Sequence, residues 1–190
     1  MAKKIDNHDL RAKLELRRHF LRKYHGDGSP IHVLDCCQGD GLLWKQLRKE
    51  FPVASHWGPD LKTKKGRLKL DSVRVLGQSG WPQNVIDIDT YGSPWKHWSA
   101  MLPNVVRPIT VFMTDGFGRQ QQSALDRYVF LCVGLLPLYP KLPAMFRRLF
   151  IFRDFYLAGC IAKSGLSIIE AVEAVSTADT RYIGVRLEPA

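Results

Sequence analysis

Two stretches of this sequence carry residue types that do chemistry at telling spacings, LDCCQGDG at 34–41 and IDIDTYGSP at 86–94. In the first, Asp35 closes a short apolar run, and Gly39 and Gly41 follow in a loop that leads into LLWKQL. Glycine between a strand and a helix lets the backbone approach a ligand closely, because it has no side chain to obstruct and tolerates positive φ. Two glycines alone are a weak signal. The frame sharpens it: a second strand-like run closes on Asp60, where an acid can accept hydrogen bonds from two ribose hydroxyls. A nicotinamide-dinucleotide loop needs a third glycine three residues after the second, and Trp44 stands there, so that reading loses. In the second stretch Asp87 and Asp89 leave an apolar strand on the same side, and the chain then turns through Gly92, Ser93 and Pro94.

With Asp-x-x-x-Gly-x-Gly in place, the first stretch resembles the first motif of the class I S-adenosylmethionine-dependent methyltransferases. The resemblance covers residues 30–118, with the end of the chain in agreement. It implies a Rossmann-like sandwich, a mainly parallel seven-stranded sheet closed by an antiparallel C-terminal hairpin, and S-adenosylmethionine as cofactor. It also implies that Asp35, Cys36 and the Gly39 to Gly41 backbone hold the methionine end, Asp60 the ribose and Asp71 the adenine amine, with Asp87 beside the cofactor.

The second stretch resembles the Asp-Pro-Pro-Tyr loop of amine-directed nucleic-acid methyltransferases. It is closer still to the Asp-Pro-Phe-Gly-Ser-Pro loop of the tRNA guanine dimethyltransferases, with Thr90 where those families have proline. Methyl transfer from a sulfonium is an in-line displacement in which the protein mainly positions the nucleophile. An amine must aim its lone pair at the methyl group while its hydrogens are held, which a carboxylate and a backbone carbonyl can do while an aromatic ring stacks on the base. Asp89, the Thr90 carbonyl and Tyr91 fit these catalytic roles, and Gly92, Ser93 and Pro94 border the substrate.

Elements that could position these loops follow from periodicity. Residues 5–25 place Leu10, Leu14, Leu16, Phe20, Leu21 and Tyr24 at helical separations, and Gly26, Gly28 and Pro30 stop the helix. Strands are expected at 31–35, 54–61, 85–89 and 108–113, with a helix at 42–51 between the first two, which predicts a mainly parallel sheet covered on both faces. Further helices are expected at 119–132 and 144–163, the stretch 119–143 forming a helical insertion. Residues 166–175 and 181–189 read as a closing hairpin. Trp95 and Trp98 read as core, and TDGFGRQ at 114–120 as a turn whose Asp115 and Phe117 could border the substrate.

The chain has 190 residues and ordinary globular composition, which suits a single domain. Cys36, Cys37, Cys132 and Cys160 have no disulfide or metal-site spacing, so no metal is expected. Neither a secretory leader nor a membrane span is expected, which points to the cytoplasm. The net charge of +10 is uneven: residues 1–25 hold eight Lys/Arg against three acids and residues 119–153 hold six against one, so each segment carries +5. Clustered basic charge suits a polyanion, with RNA favoured, and Arg17, Arg18, Arg22 and Lys23 of the basic N-terminal helix within 1–28 are expected to grip phosphate. A methyltransferase for a small molecule or protein, a non-catalytic cofactor-binding protein and a membrane-associated protein are the rivals. Oligomeric state is open.

Overall fold

Strand β1 (Ile31–Asp35) divides its side chains between two layers, Ile31 and Val33 facing one and Leu34 the other. The computed structural model describes residues 9–60, 69–90, 94–116, 164–177 and 180–190. Within these, β3 (Val85–Ile88) and β4 (Ile109–Gly116) divide in the same way, Val85 and Phe112 on the first face and Ile86, Ile88, Val111 and Met113 on the second. Both faces are therefore covered, as the near-continuous apolar runs require.

Six described strands form one sheet in the order β2-β1-β3-β4-β6-β5. The first four are parallel, with β2 at Val53–Trp57, while β6 (Thr180–Pro189) runs antiparallel to both β4 and β5 (Leu166–Thr177). Helix α2 (Leu42–Leu47) joins β1 to β2, and α4 (Trp95–Met101) with a 3-10 turn at Leu102–Asn104 joins β3 to β4. A seventh strand is not seen among the described residues. Beyond β2 the described residues hold a parallel bridge between Asp60 and Lys69. Strand β4 is longer than expected, so Thr114 and Asp115 pair with Tyr182 and Arg181 rather than forming a turn. The helices expected within 119–163, Phe117 and the turn residues Tyr91, Gly92 and Ser93 lie outside the described residues.

Helix α1 (Leu10–His25) starts at Asp9, whose side chain accepts from the Ala12 N–H at 3.0 Å, and it packs with α2 on the first face. Phe20 lies edge-on to Phe112 with ring centroids 5.8 Å apart. A Cβ at Gly184 on β6 would collide with the Phe20 ring, so glycine there is what lets the helix approach the sheet. On the second face α4 buries Trp95, Trp98 and Met101 against Leu34, Ile86 and Val111, making both tryptophans core. Chain order reverses beside β1, with β2 on one side and β3 on the other, which makes the carboxyl ends of these strands a topological switch point. Ligands of open α/β sheets bind at such a switch point.

Candidate active site

At the switch point Asp35 and Asp87 stand in register as the last residues of their strand pairing, and Asp89 follows two residues later on the same side. All three carboxylates belong to the α1 side of the sheet, the side of Val33 and Val85. Uncompensated charge of this kind in a buried place would cost many kcal/mol, so partners must be supplied. They come from α1, α2 and β2.

Asp87 is buried and fully engaged. Arg17 donates to it from Nη2 at 2.7 Å and from Nε at 2.9 Å, and the Trp44 indole N–H donates at 2.7 Å. Trp44 thus occupies with an indole the place where a dinucleotide fold has glycine. Asp89 receives Lys13 Nζ at 2.7 Å on each oxygen, yet its side chain keeps 28% exposure. Burial works to raise the Asp89 pKa, but Lys13 and then Arg17 outweigh it and hold the carboxyl below its ordinary value. Asp35 hydrogen-bonds His56 Nε2 at 3.0 Å, and Gln38 meets the other ring nitrogen at 3.4 Å. Burial pushes the Asp35 carboxyl up to about 6, the His56 bond opposing and the charges of Asp87 and Asp89 adding to the rise.

The glycine loop adopts the conformation its sequence requires. Gly39 and Gly41 have φ of +50° and +65°, and the Gly41 N–H donates to the Gln38 carbonyl at 2.8 Å. Among the described residues, a Cβ at Gly39 would meet the Cys37 carbonyl at 3.8 Å, an ordinary van der Waals distance. On the other side Gly58 admits the Gln38 side chain, which a Cβ would meet at 2.5 Å. The loop is therefore pinned through Gln38 and His56.

The other expected site residues lie as follows, and Arg17 departs from expectation. Cys36 turns its thiol into the second core layer, where burial drives its pKa well up, and its N–H is taken by the Asp87 carbonyl at 2.8 Å. Asp87, expected beside the cofactor, spends its carboxylate on Arg17 and Trp44. Arg17, expected on phosphate, is 1% exposed and points inward. Asp71 caps helix α3 (Ser72–Leu76), accepting from the Val73 N–H at 2.9 Å through one oxygen. Beside it Lys69, Leu70, Asp71 and Arg74 line an open hollow. Asp60 lies half-buried past the end of β2. The Thr90 hydroxyl is buried without a partner among the described residues, and Pro94 caps α4. Arg18 pairs with Glu15 and Glu50, Lys23 pairs with Glu170 at 3.1 Å, and Arg22 is exposed. Lys13, Trp44 and His56 belong to the site without having been expected there.

No protein-family model matches the chain, and no curated protein matches it by sequence. Solved structures do. Trm1 from Pyrococcus horikoshii, solved with S-adenosyl-L-methionine, matches at a TM-score of 0.66 and 16% identity over 100% of this chain. This chain spans 59% of that protein's length. The plantazolicin methyltransferase BamL, solved with S-adenosylhomocysteine, matches at 0.62 and 11% identity, with 98% of this chain and 87% of that one covered. The chain has the fold of the S-adenosylmethionine-dependent methyltransferases. TYW2 from M. jannaschii, in complex with S-adenosylmethionine, matches at 0.56 and 10% identity, covering 100% of this chain and 80% of that one. Identities this low speak to the fold; the chemistry of this chain must be argued from its own residues.

Proposed function

We propose that this protein is an S-adenosylmethionine-dependent methyltransferase that methylates an amine of a nucleic acid, with RNA favoured. The observation that carries the reading is the division of labour among the three carboxylates at the switch point. Asp87 is consumed by the scaffold and Asp35 is tied to His56, while Asp89 is ionised, anchored and partly exposed. A single open carboxylate at a strand end is what an amine nucleophile needs in order to be held.

The residues present fit the cofactor. The positive-φ residues Gly39 and Gly41 suit backbone approach, Asp60 past the end of β2 suits the ribose hydroxyls, and Asp71 has an oxygen beyond the one that caps α3. Asp35 holds the methionine end. When bound, S-adenosylmethionine supplies a methyl group on a positively charged sulfur. The rest is positioning: Asp89 accepts an N–H from the substrate amine and the Thr90 carbonyl a second one, which leaves the lone pair to face the methyl group. From the resemblance of the loop, the role of stacking on the base is assigned to Tyr91 and contact with the substrate to Gly92, Ser93 and Pro94, while Arg18, Arg22 and Lys23 face the polyanion. An exocyclic aromatic amine suits this arrangement because it is uncharged at neutral pH, so Asp89 need not strip a proton from an ammonium before attack. The setting is the cytoplasm.

Pairing of Arg18 and Lys23 with carboxylates favours a second reading, a methyltransferase for a small molecule or protein. Incubation with labelled S-adenosylmethionine and separate pools of tRNA, rRNA, DNA, protein and small-molecule extract tests both. Label in an RNA pool, lost in Asp89→Ala, is expected. Label confined to protein or small molecules establishes the second reading, and no label in any pool leaves a cofactor-binding protein without transferase activity.

A further inference from the structure

Lys13 and Arg17 are one helical turn apart on α1, and the two carboxylates they hold are two residues apart at the end of β3. The spacings match. Four residues of helix rise about 6 Å, and two residues of strand rise about 6.6 Å. Arg17 reaches Asp87 and Lys13 reaches Asp89, so the helix runs antiparallel to β3 and both rungs form at once. The inner rung is sealed, with side chains 1% and 2% exposed, whereas in the outer rung Lys13 is 7% and Asp89 28% exposed. Aromatic rings stand beside both cations: Phe112 lies 5.0 Å from the Arg17 guanidinium carbon and Tyr182 lies 5.2 Å from Lys13 Nζ. The Lys13 stem therefore has little freedom, and its ammonium meets both oxygens of Asp89 from the core side.

From this geometry we infer that Lys13 is a positioning residue of the transfer site, fixing the Asp89 carboxylate in one orientation with its outer edge presented to the substrate amine. The inference rests on the role proposed for Asp89 and adds to it the group that makes that role possible. One ammonium bridging two carboxylate oxygens occupies one lone-pair direction on each, and the Thr114 hydroxyl on β4 adds a second hold on the group, so the carboxylate keeps one orientation with part of its surface exposed. Without Lys13, Asp89 would lose the hydrogen bonds to both of its oxygens and keep only the weaker hold of Thr114 among the described residues. Among the described residues, the charged and polar groups that bear on the ionisation of Asp89 are Lys13 and Arg17 from α1, Asp87 on β3, Asp35 on β1, Cys37 in the glycine loop and Thr114 on β4. Of these the cations Lys13 and Arg17 favour the carboxylate most, the Thr114 hydroxyl adds to them, and Lys13 is the cation in direct contact.

The test compares Lys13→Met and Lys13→Arg with the unaltered protein, using labelled S-adenosylmethionine and whichever pool accepts methyl groups. Lys13→Met should lower kcat on the order of tenfold to a hundredfold, leave the cofactor Kd within about twofold, and move the acid limb of kcat to higher pH. Lys13→Arg should recover most of the rate. Unchanged or increased kcat in Lys13→Met, or parallel loss of cofactor affinity, or no recovery with arginine, would overturn the inference; an increase would make Lys13 a plug. A second readout is independent of turnover: carbon-13 NMR of the Asp89 carboxyl should show its titration midpoint raised in Lys13→Met. An unmoved midpoint sinks the inference even if the protein methylates, whereas absent cofactor binding with a raised midpoint counts against the proposed function alone.

Discussion

Arg17 and Asp87, 70 residues apart in the chain, share two hydrogen bonds in the interior, and neither side chain is more than 2% exposed. The pair ties α1 to the central strand of the candidate site, with Trp44 closing the remaining side of the carboxylate. A buried pair of this kind adds little net stability over an apolar one, but removal of one partner strands a charge at a cost of about 3–5 kcal/mol. Arg17→Met should therefore lower unfolding free energy by about that amount in urea titration, and Arg17→Met with Asp87→Leu should recover much of the loss. If the single variant is as stable as the unaltered protein, the pair does not hold the helix.

Asp35 gives a pH signature. Its carboxyl is raised to about 6 in the folded protein from the ordinary 3.8, chiefly by burial, so ionisation works against folding. Its contribution to stability is complete below about pH 4 and is lost as pH rises through about 6, by roughly 3 kcal/mol in all. Asp35→Asn cannot ionise and escapes this loss. Measured by urea unfolding, the stability of Asp35→Asn relative to the unaltered protein should improve by roughly that much between pH 4 and pH 7. A difference that is flat with pH would mean that Asp35 titrates normally.

Local pattern made the strands and the glycine loop readable. The runs IHVLD and VIDI are strands because β-branched and apolar residues face both layers, and Gly39 and Gly41 have the positive φ that their loop requires. The hairpin was legible through STADT, although LSIIEAVEAV has helical propensity and is strand only because β6 pairs with it. What local pattern could not show was pairing over distance. Yet a signal was present: Leu10, Leu14, Arg17 and Leu21 follow one apolar stripe, and an arginine on such a stripe demands a buried anion. Read that way, Arg17 would have been matched to an acid of the sheet rather than to phosphate. His56 had no comparable signal, since its place under the loop depends on β2 lying beside β1.

The cofactor loop and the acceptor carboxylate should separate cleanly. Gly39→Val meets a backbone at φ +50°, which a β-branched residue resists, and puts bulk where the loop backbone must approach the cofactor, so calorimetry should detect no binding of S-adenosylmethionine. Asp89→Ala should bind the cofactor nearly as well as the unaltered protein and turn over about a hundredfold more slowly or worse. Matching losses of binding and turnover in Asp89→Ala would make Asp89 part of the scaffold.

Salt dependence tests the polyanion. Arg11, Glu15, Arg18 and Arg22 fall on one stripe of α1, since steps of four, seven and eleven residues return close to the same face at about 100° per residue. Arg18 is shared between Glu15 and Glu50, and Lys23 is held by Glu170, so Arg11 and Arg22 are the exposed cations of the helix least committed to carboxylates. Each phosphate contact releases condensed counterions and contributes about −0.7 to −0.9 to the log-log slope of affinity against salt. Arg11→Gln with Arg22→Gln should flatten the slope for RNA by about one to two units, leaving cofactor affinity unchanged. Arg18→Gln with Lys23→Gln should flatten it by less, because those cations are neutralised before RNA arrives. Equal effects of the two double variants would show that RNA breaks the surface pairs on binding. No effect from either would move the polyanion contact off this helix and favour the small-molecule or protein substrate.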